Sequence, residues 1–80
     1  MLYHLTMLYC DTPERFGKNI QLRRTARGMT IVQLADKAGV SRQALSRLEK
    51  GAPATRLDTA IRVMVALDIQ IPFILAGREQ

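Results

Sequence analysis

The chain has no tryptophan, one cysteine and one histidine among its 80 residues. With Cys10 as the only thiol, an internal disulfide is excluded, which suits a reducing compartment. With His4 as the only histidine, a multi-ligand metal site or a catalytic triad has too few members. Clustered carboxylates and a glycine-rich phosphate loop are also missing, so nothing points to catalysis. We expect neither an enzyme nor a bound metal ion or cofactor.

Long hydrophobic runs are missing as well. No stretch approaches the roughly 20 apolar residues of a membrane span. The first ten residues, MLYHLTMLYC, lack the positive leading region and the long apolar run of a secretory signal. We therefore expect a cytoplasmic protein that does not enter a membrane. The alternating pattern in this apolar arm, residues 1–11, predicts a strand that covers its own core or contacts another subunit or partner.

Aromatic residues make up only 5% of a sequence that is 48% hydrophobic. The core must therefore consist of Leu, Ile, Val, Ala and Met, as in a small helical bundle. At this length one domain stands near the lower limit at which a core alone sustains folding, and dimerisation commonly adds stability.

The net charge of +5 is unevenly distributed. Residues 1–27 hold five basic and two acidic groups, residues 28–51 hold four and two, and residues 52–80 hold three of each. The positive surplus therefore lies in the first two thirds of the chain. A basic face is the electrostatic signature of a polyanion partner, although many small soluble proteins carry similar charge.

Residues 30–51, TIVQLADKAGVSRQALSRLEKG, predict two short helices separated by a tight turn. Thr30 and Gln33 have the spacing of a capping box that begins the first helix, and Gly39 ends it. Ser41 caps the second helix, which ends at Gly51. Since three residues join the helices, they must cross steeply, as in a helix-turn-helix.

This stretch closely resembles the helix-turn-helix of the XRE family, the Cro and phage-repressor type. The resemblance extends from about Phe16 to Leu67 and rests on the following residues: Thr30, Leu34, Ala35, Gly39, Val40, Ser41, Leu45, Ser46, Leu48, Glu49 and Gly51. It implies an all-α, lambda-repressor-like bundle of four to five helices over residues 12–68.

Two further helices flank the motif. Thr12, Pro13 and Glu14 predict the start of a helix that ends before Gly28, with Phe16, Ile20 and Ala26 facing inward. Thr55 and Asp58 have capping-box spacing for a last helix from Arg56 to Leu67. The apolar residues at core spacing in that helix are Leu57, Ile61, Met64, Val65 and Leu67.

Residues 69–80 form a C-terminal segment whose structure the pattern leaves open. With period two, Ile69, Ile71, Phe73 and Leu75 share one face of a strand, whereas Pro72 also fits the first turn of a helix. The β-branched residues favour the strand. Antitoxins resembling HipB often pair such a strand across a dimer interface.

The resemblance assigns roles to individual residues. The second helix of the motif reads bases in the major groove, chiefly from its N-terminal end. The base-reading candidates are Arg42, Gln43, Ala44, Ser46 and Arg47, and the phosphate candidates are Thr30, Gln33, Ser41, Lys50, Thr55 and Arg56. Relatives pair an arginine matching Arg24 with a glutamate matching Glu49, and direct phosphate binding by Arg24 is the alternative. Relatives also commonly carry a phosphate-binding Gln where this chain has Ile31.

The resemblance implies a repressor that binds a double-stranded DNA operator as a homodimer. The short format, the Arg23–Arg24 pair and the C-terminal segment favour a HipB-like antitoxin with a HipA-like kinase toxin as its partner. A phage or plasmid repressor, or a restriction–modification controller, has a similar sequence. A toxin-binding module with weak DNA binding is a further alternative, which Ile31 favours.

Overall fold

Four helices make up the part of the chain that the computed structural model describes, residues 12–69. They are α1, Pro13–Ala26; α2, Ile31–Ala38; α3, Arg42–Glu49; and α4, Leu57–Ala66. No strand occurs within residues 12–69, so the prediction of an all-α helix-turn-helix domain is confirmed. The strand predicted in residues 1–11 and the strand or helix of residues 70–75 lie outside the described residues. None of the four helices is long and apolar enough to cross a membrane.

Helix α1 begins and ends as its local sequence predicts. The Thr12 Oγ1 atom accepts a hydrogen bond from the Arg15 N–H at 3.1 Å, and Pro13 occupies the first turn. Gly28 follows the helix with a φ of 68°, a left-handed conformation that glycine adopts without strain. Ala26, expected to face inward, is exposed at the end of the helix, and Met29 from the following turn packs against the core instead.

All four helices contribute to one hydrophobic core. Its most deeply buried large side chains are Ile20, Leu34, Leu45, Leu48, Val63 and Leu67. Burial of each such side chain stabilises the fold by about 1.5–3 kcal/mol relative to exposure. Within α3 only Leu45 and Leu48 are fully buried, so these two residues decide which face of the helix is left for other contacts.

Helices α1 and α3 approach so closely that only glycine fits between them. A Cβ atom on Gly17 would collide with the Leu48 carbonyl oxygen and would lie 2.8 Å from the carbonyl oxygen of Glu49. This contact places the end of α3 directly against the first turns of α1.

The core face predicted for α4 is only partly right: Leu67 is buried and Met64 packs against the core, but the other predicted residues do not. Three of its expected core residues, Leu57, Ile61 and Val65, are exposed by 75%, 40% and 64%. Val63 and Ala66 are buried on the opposite side instead. The prediction of these three core residues is wrong because α4 is apolar around most of its circumference, so periodicity alone does not select the buried face.

The predicted capping box of α4 is also wrong. The Thr55 hydroxyl donates to the Ala52 carbonyl oxygen at 3.0 Å and closes the preceding turn. Arg56 is the N-cap residue, and no side chain makes a capping hydrogen bond there. The Thr55 hydroxyl can bond within the turn or cap the helix, and the spacing of the residues does not show which of the two it does.

Candidate nucleic-acid interface

Helix α2 begins with a complete capping box. The Thr30 Oγ1 atom accepts from the Gln33 N–H at 3.1 Å, while the Gln33 Oε1 atom accepts from the Thr30 N–H at 2.9 Å. Because its oxygen faces the backbone, the Gln33 side chain keeps its NH₂ group for an external acceptor. The N–H groups of Ile31 and Val32, in the first turn, are likewise left without a helical acceptor.

A three-residue turn sets the angle between α2 and α3. Gly39 has a φ of 73°, and its N–H donates to the Ala35 carbonyl oxygen at 2.9 Å. The Val40 N–H donates to the same oxygen at 3.0 Å, which completes a glycine-ended helix terminus. Ser41 then caps α3, where its Oγ atom accepts from the Ala44 N–H at 3.0 Å. Every step of this turn is a local hydrogen bond, so the crossing angle is encoded by the turn itself.

Helix α3 presents a polar face to solvent. Leu45 is fully buried and Leu48 is 1% exposed, which fixes the rotation of the helix about its axis. Arg42, Gln43 and Arg47 are exposed on the outer side. Ala44 and Ser46, two other base-reading candidates, are half-buried.

An open groove runs along this outer face. Among residues 12–69, its lining residues are Ile31, Arg42, Gln43, Ser46, Arg47 and Lys50. Five of the six are polar, three carry a positive charge and none carries a negative one. The groove therefore collects four of the five base-reading candidates, together with Lys50 from the phosphate set; Ala44 is not among its lining residues.

A buried ion pair keeps Glu49, the only acidic residue of α3, away from this face. The Arg24 Nε atom lies 2.7 Å from Glu49 Oε2, and the Arg24 Nη2 atom lies 3.0 Å from Glu49 Oε1. Both side chains are largely buried, at 11% and 5% exposure. The Arg24 Nη1 atom also donates to the Met29 carbonyl oxygen at 2.8 Å. The guanidinium thus ties α1, the turn before α2 and the end of α3 together, with its charge directed inward.

The two phosphate candidates before α4 are less available. The Thr55 hydroxyl already donates to Ala52, so it cannot donate the same proton to a phosphate. Arg56 is highly exposed and lies 3.3 Å from Asp58. Such a surface pair contributes little free energy, so the guanidinium remains able to change partner.

Sequence reasoning missed two residues that shape the interface. Gly17 allows the close approach of α1 and α3, and the Met29 carbonyl oxygen is the third acceptor of Arg24. Neither had a local signal, since both act through contacts with distant parts of the chain. Ile31, which the sequence marks as a departure from the resemblance, is one of the residues that line the groove.

A comparison with protein-family models matches the chain to one described as helix-turn-helix, HTH_3, over residues 20–74. The match covers more than half of the chain and includes α2, α3 and α4 entirely. No curated protein matches the chain significantly.

Proposed function

The chain belongs to the XRE-type helix-turn-helix family, whose members are DNA-binding transcription regulators, and on that premise we propose that it is a sequence-specific repressor that acts as a homodimer. The observation that carries the proposal is the groove along α3. The groove is polar and positively charged. Burial of Leu45 and Leu48 fixes the rotation of α3 about its axis and so keeps this face exposed. A rigid helix with this face has the shape and charge to enter the major groove of DNA.

The proposed base readers lie along the exposed side of α3. Arg42 is suited to the O6 and N7 atoms of guanine, and Gln43 to the N6 and N7 atoms of adenine. Arg47 and Ser46 lie one turn further along and extend the contact. The Ala44 methyl group is proposed to meet a thymine methyl group at the edge of this face.

The proposed phosphate contacts surround the groove. Lys50 supplies a charge at one end, and the Gln33 NH₂ group and the first-turn N–H groups of α2 supply donors at the other. The Ser41 hydroxyl accepts from a backbone N–H and keeps its own proton for an acceptor. The Thr30 N–H is bonded to Gln33, so Thr30 is proposed to contribute through its hydroxyl proton, and Thr55 through its backbone N–H group. Arg56 contributes through its guanidinium.

A homodimer is proposed because one recognition helix reads only a few base pairs. Two copies that read half-sites about one helical turn apart provide the affinity and select a palindromic operator. The clearest test is selection of bound sequences from random duplex DNA, followed by gel shifts at increasing salt. We expect an enriched palindrome and a steep loss of affinity between about 50 and 200 mM salt. Recovery of no preferred sequence would contradict the proposal.

Within this function we further propose an antitoxin role, with a HipA-like kinase as the toxin. Resemblance and the Arg23–Arg24 pair support it. The apolar pair Ile31 and Val32 at the start of α2 also supports an alternative, a toxin-binding module with weak DNA binding. Co-purification with a kinase encoded by an adjacent gene, together with relief of its toxicity, would test the antitoxin role. If the chain neither co-purified with the kinase nor relieved its toxicity, the antitoxin role would be wrong.

A further inference from the structure

One side of α4 exposes a row of large aliphatic side chains. Leu57, Ile61 and Val65 are spaced four residues apart, so they lie one above the other on the helix surface. We call this row the α4 stripe. Isolated exposed apolar residues are normal, but a continuous row at helical spacing is the pattern that packs against another helix.

The apolar surface continues beyond the α4 stripe. Leu57 also lines an open groove between the start of α1 and the start of α4. The apolar side chains of that groove include Pro13, Phe16, Leu48, Pro53 and Ala60. An apolar surface therefore extends from the middle of α4 to the first turn of α1, and it shares no residue with the lining of the groove along α3.

The charges beside the α4 stripe indicate what covers it. Asp58 and Arg62 follow Leu57 and Ile61 directly, so they lie along one edge of the stripe, and both are exposed. In an antiparallel pair of α4 helices related by a two-fold axis at Ile61, Asp58 of one copy lies about 3 Å along the axis from Arg62 of the other. In a parallel pair the two-fold axis runs along the helices and puts the two Asp58–Arg62 edges on opposite sides of the contact, so they do not meet. The edge is thus complementary to itself in one arrangement only.

We propose that the α4 stripe is the surface through which two copies of this chain associate, with their α4 helices antiparallel. Ile61 then meets Ile61 of the second copy, and Leu57 meets Val65. The inference identifies the contact of the homodimer proposed above and rests on that part of the proposed function. Three side chains supply only a fraction of the roughly 800 Å² per partner of a standard interface, so the adjoining groove must add area and the dimer is expected to be in the micromolar range.

The test is sedimentation velocity of the full chain without DNA, from about 1 to 200 µM. The wild type is expected to shift from monomer to dimer over this range. Ile61→Glu places two like charges at the two-fold axis and should weaken association at least about tenfold. Val32→Glu is the matched control, since Val32 is an equally exposed aliphatic residue on α2, and it should associate like the wild type. Should Ile61→Glu lose its helical circular dichroism, Leu57→Glu, at the most exposed position, replaces it.

Charge reversal tests the antiparallel arrangement. Asp58→Arg should weaken the dimer, and adding Arg62→Asp should restore it. A wild type that stays monomeric overturns the proposal; this is the result expected if the rest of the chain or another protein covers the stripe. A dimer that is insensitive to Ile61→Glu also overturns it. Failure of rescue by the double reversal overturns the antiparallel arrangement. These measurements contain no DNA, so their result does not depend on operator binding. A failure to bind an operator would contradict the proposed repressor function but not the proposed dimer contact.

Discussion

Arg24 and Glu49 make a two-point ion pair that joins the end of α1 to the end of α3, with donor–acceptor distances of 2.7 and 3.0 Å. Removal of one partner leaves the other charge buried without compensation, which costs about 3–5 kcal/mol. We therefore expect Arg24→Ala to lose most of the stability of this small domain in urea denaturation. Arg24→Lys should recover only part of it, because an ammonium cannot match both carboxylate oxygens.

The control for this prediction is a second ion pair, Arg27 with Asp68. Its side chains are 41% and 79% exposed, and the atoms are 3.4 Å apart. Arg27→Ala should therefore cost no more than about 1 kcal/mol. Equal losses for Arg24→Ala and Arg27→Ala would show that the buried pair does not hold the helices together.

Gly17→Ala is expected to destabilise the domain although it improves helix propensity. In an exposed helix interior, replacing Gly by Ala stabilises by about 0.5–1 kcal/mol. Here the added methyl group collides with the backbone of α3, and overpacking of this kind costs about 1–3 kcal/mol. Thermal denaturation should show a lower Tm for Gly17→Ala, with exposed Lys18→Ala near the wild type. A raised Tm would mean that α1 and α3 are further apart.

The helix-turn-helix turn could be predicted from sequence because its determinants are local. Thr30, Gly39 and Ser41 each act on backbone groups within four residues. The exposed face of α3 follows from Leu45 and Leu48 alone. The orientation of α4 could not be predicted, because apolar residues surround most of its axis and contacts with α2 and α3 decide which of them are buried.

Coupling between capping residues distinguishes the true capping box from the false one. Thr30 and Gln33 bond to each other's backbone, so their alanine substitutions should show a coupling free energy of about 0.5–1 kcal/mol in a double-mutant cycle. Thr55 and Asp58 make no such exchange, and their effects should add within about 0.3 kcal/mol. Urea denaturation of the two sets of single and double variants supplies the measurement. Coupling at Thr55 and Asp58 would restore the capping box that the sequence predicted.

Ile31→Gln is expected to tighten DNA binding without a change in sequence preference. Ile31 stands at the start of α2 and lines the groove. By the resemblance, relatives commonly carry a phosphate-binding Gln at this position. An added hydrogen bond to a phosphate is worth about 1 kcal/mol, or roughly fivefold in affinity. Since Gln is neutral, the salt dependence should stay as it is. Val32→Gln is the control, and weaker binding by a folded Ile31→Gln would mean that Ile31 itself contacts DNA.

Arg42 and Lys50 line the same groove but should fail in different ways when replaced by alanine. Arg42 is proposed to bind a base, so Arg42→Ala should lose about 1–3 kcal/mol on the selected operator and little on unrelated DNA. Lys50 is proposed to bind a phosphate, so Lys50→Ala should weaken both and reduce the salt slope by about one. Lys18→Ala removes the same charge from the exposed surface of α1, away from the groove, and should leave discrimination intact. If Arg42→Ala kept full discrimination between operator and unrelated DNA, the base-reading face would lie elsewhere.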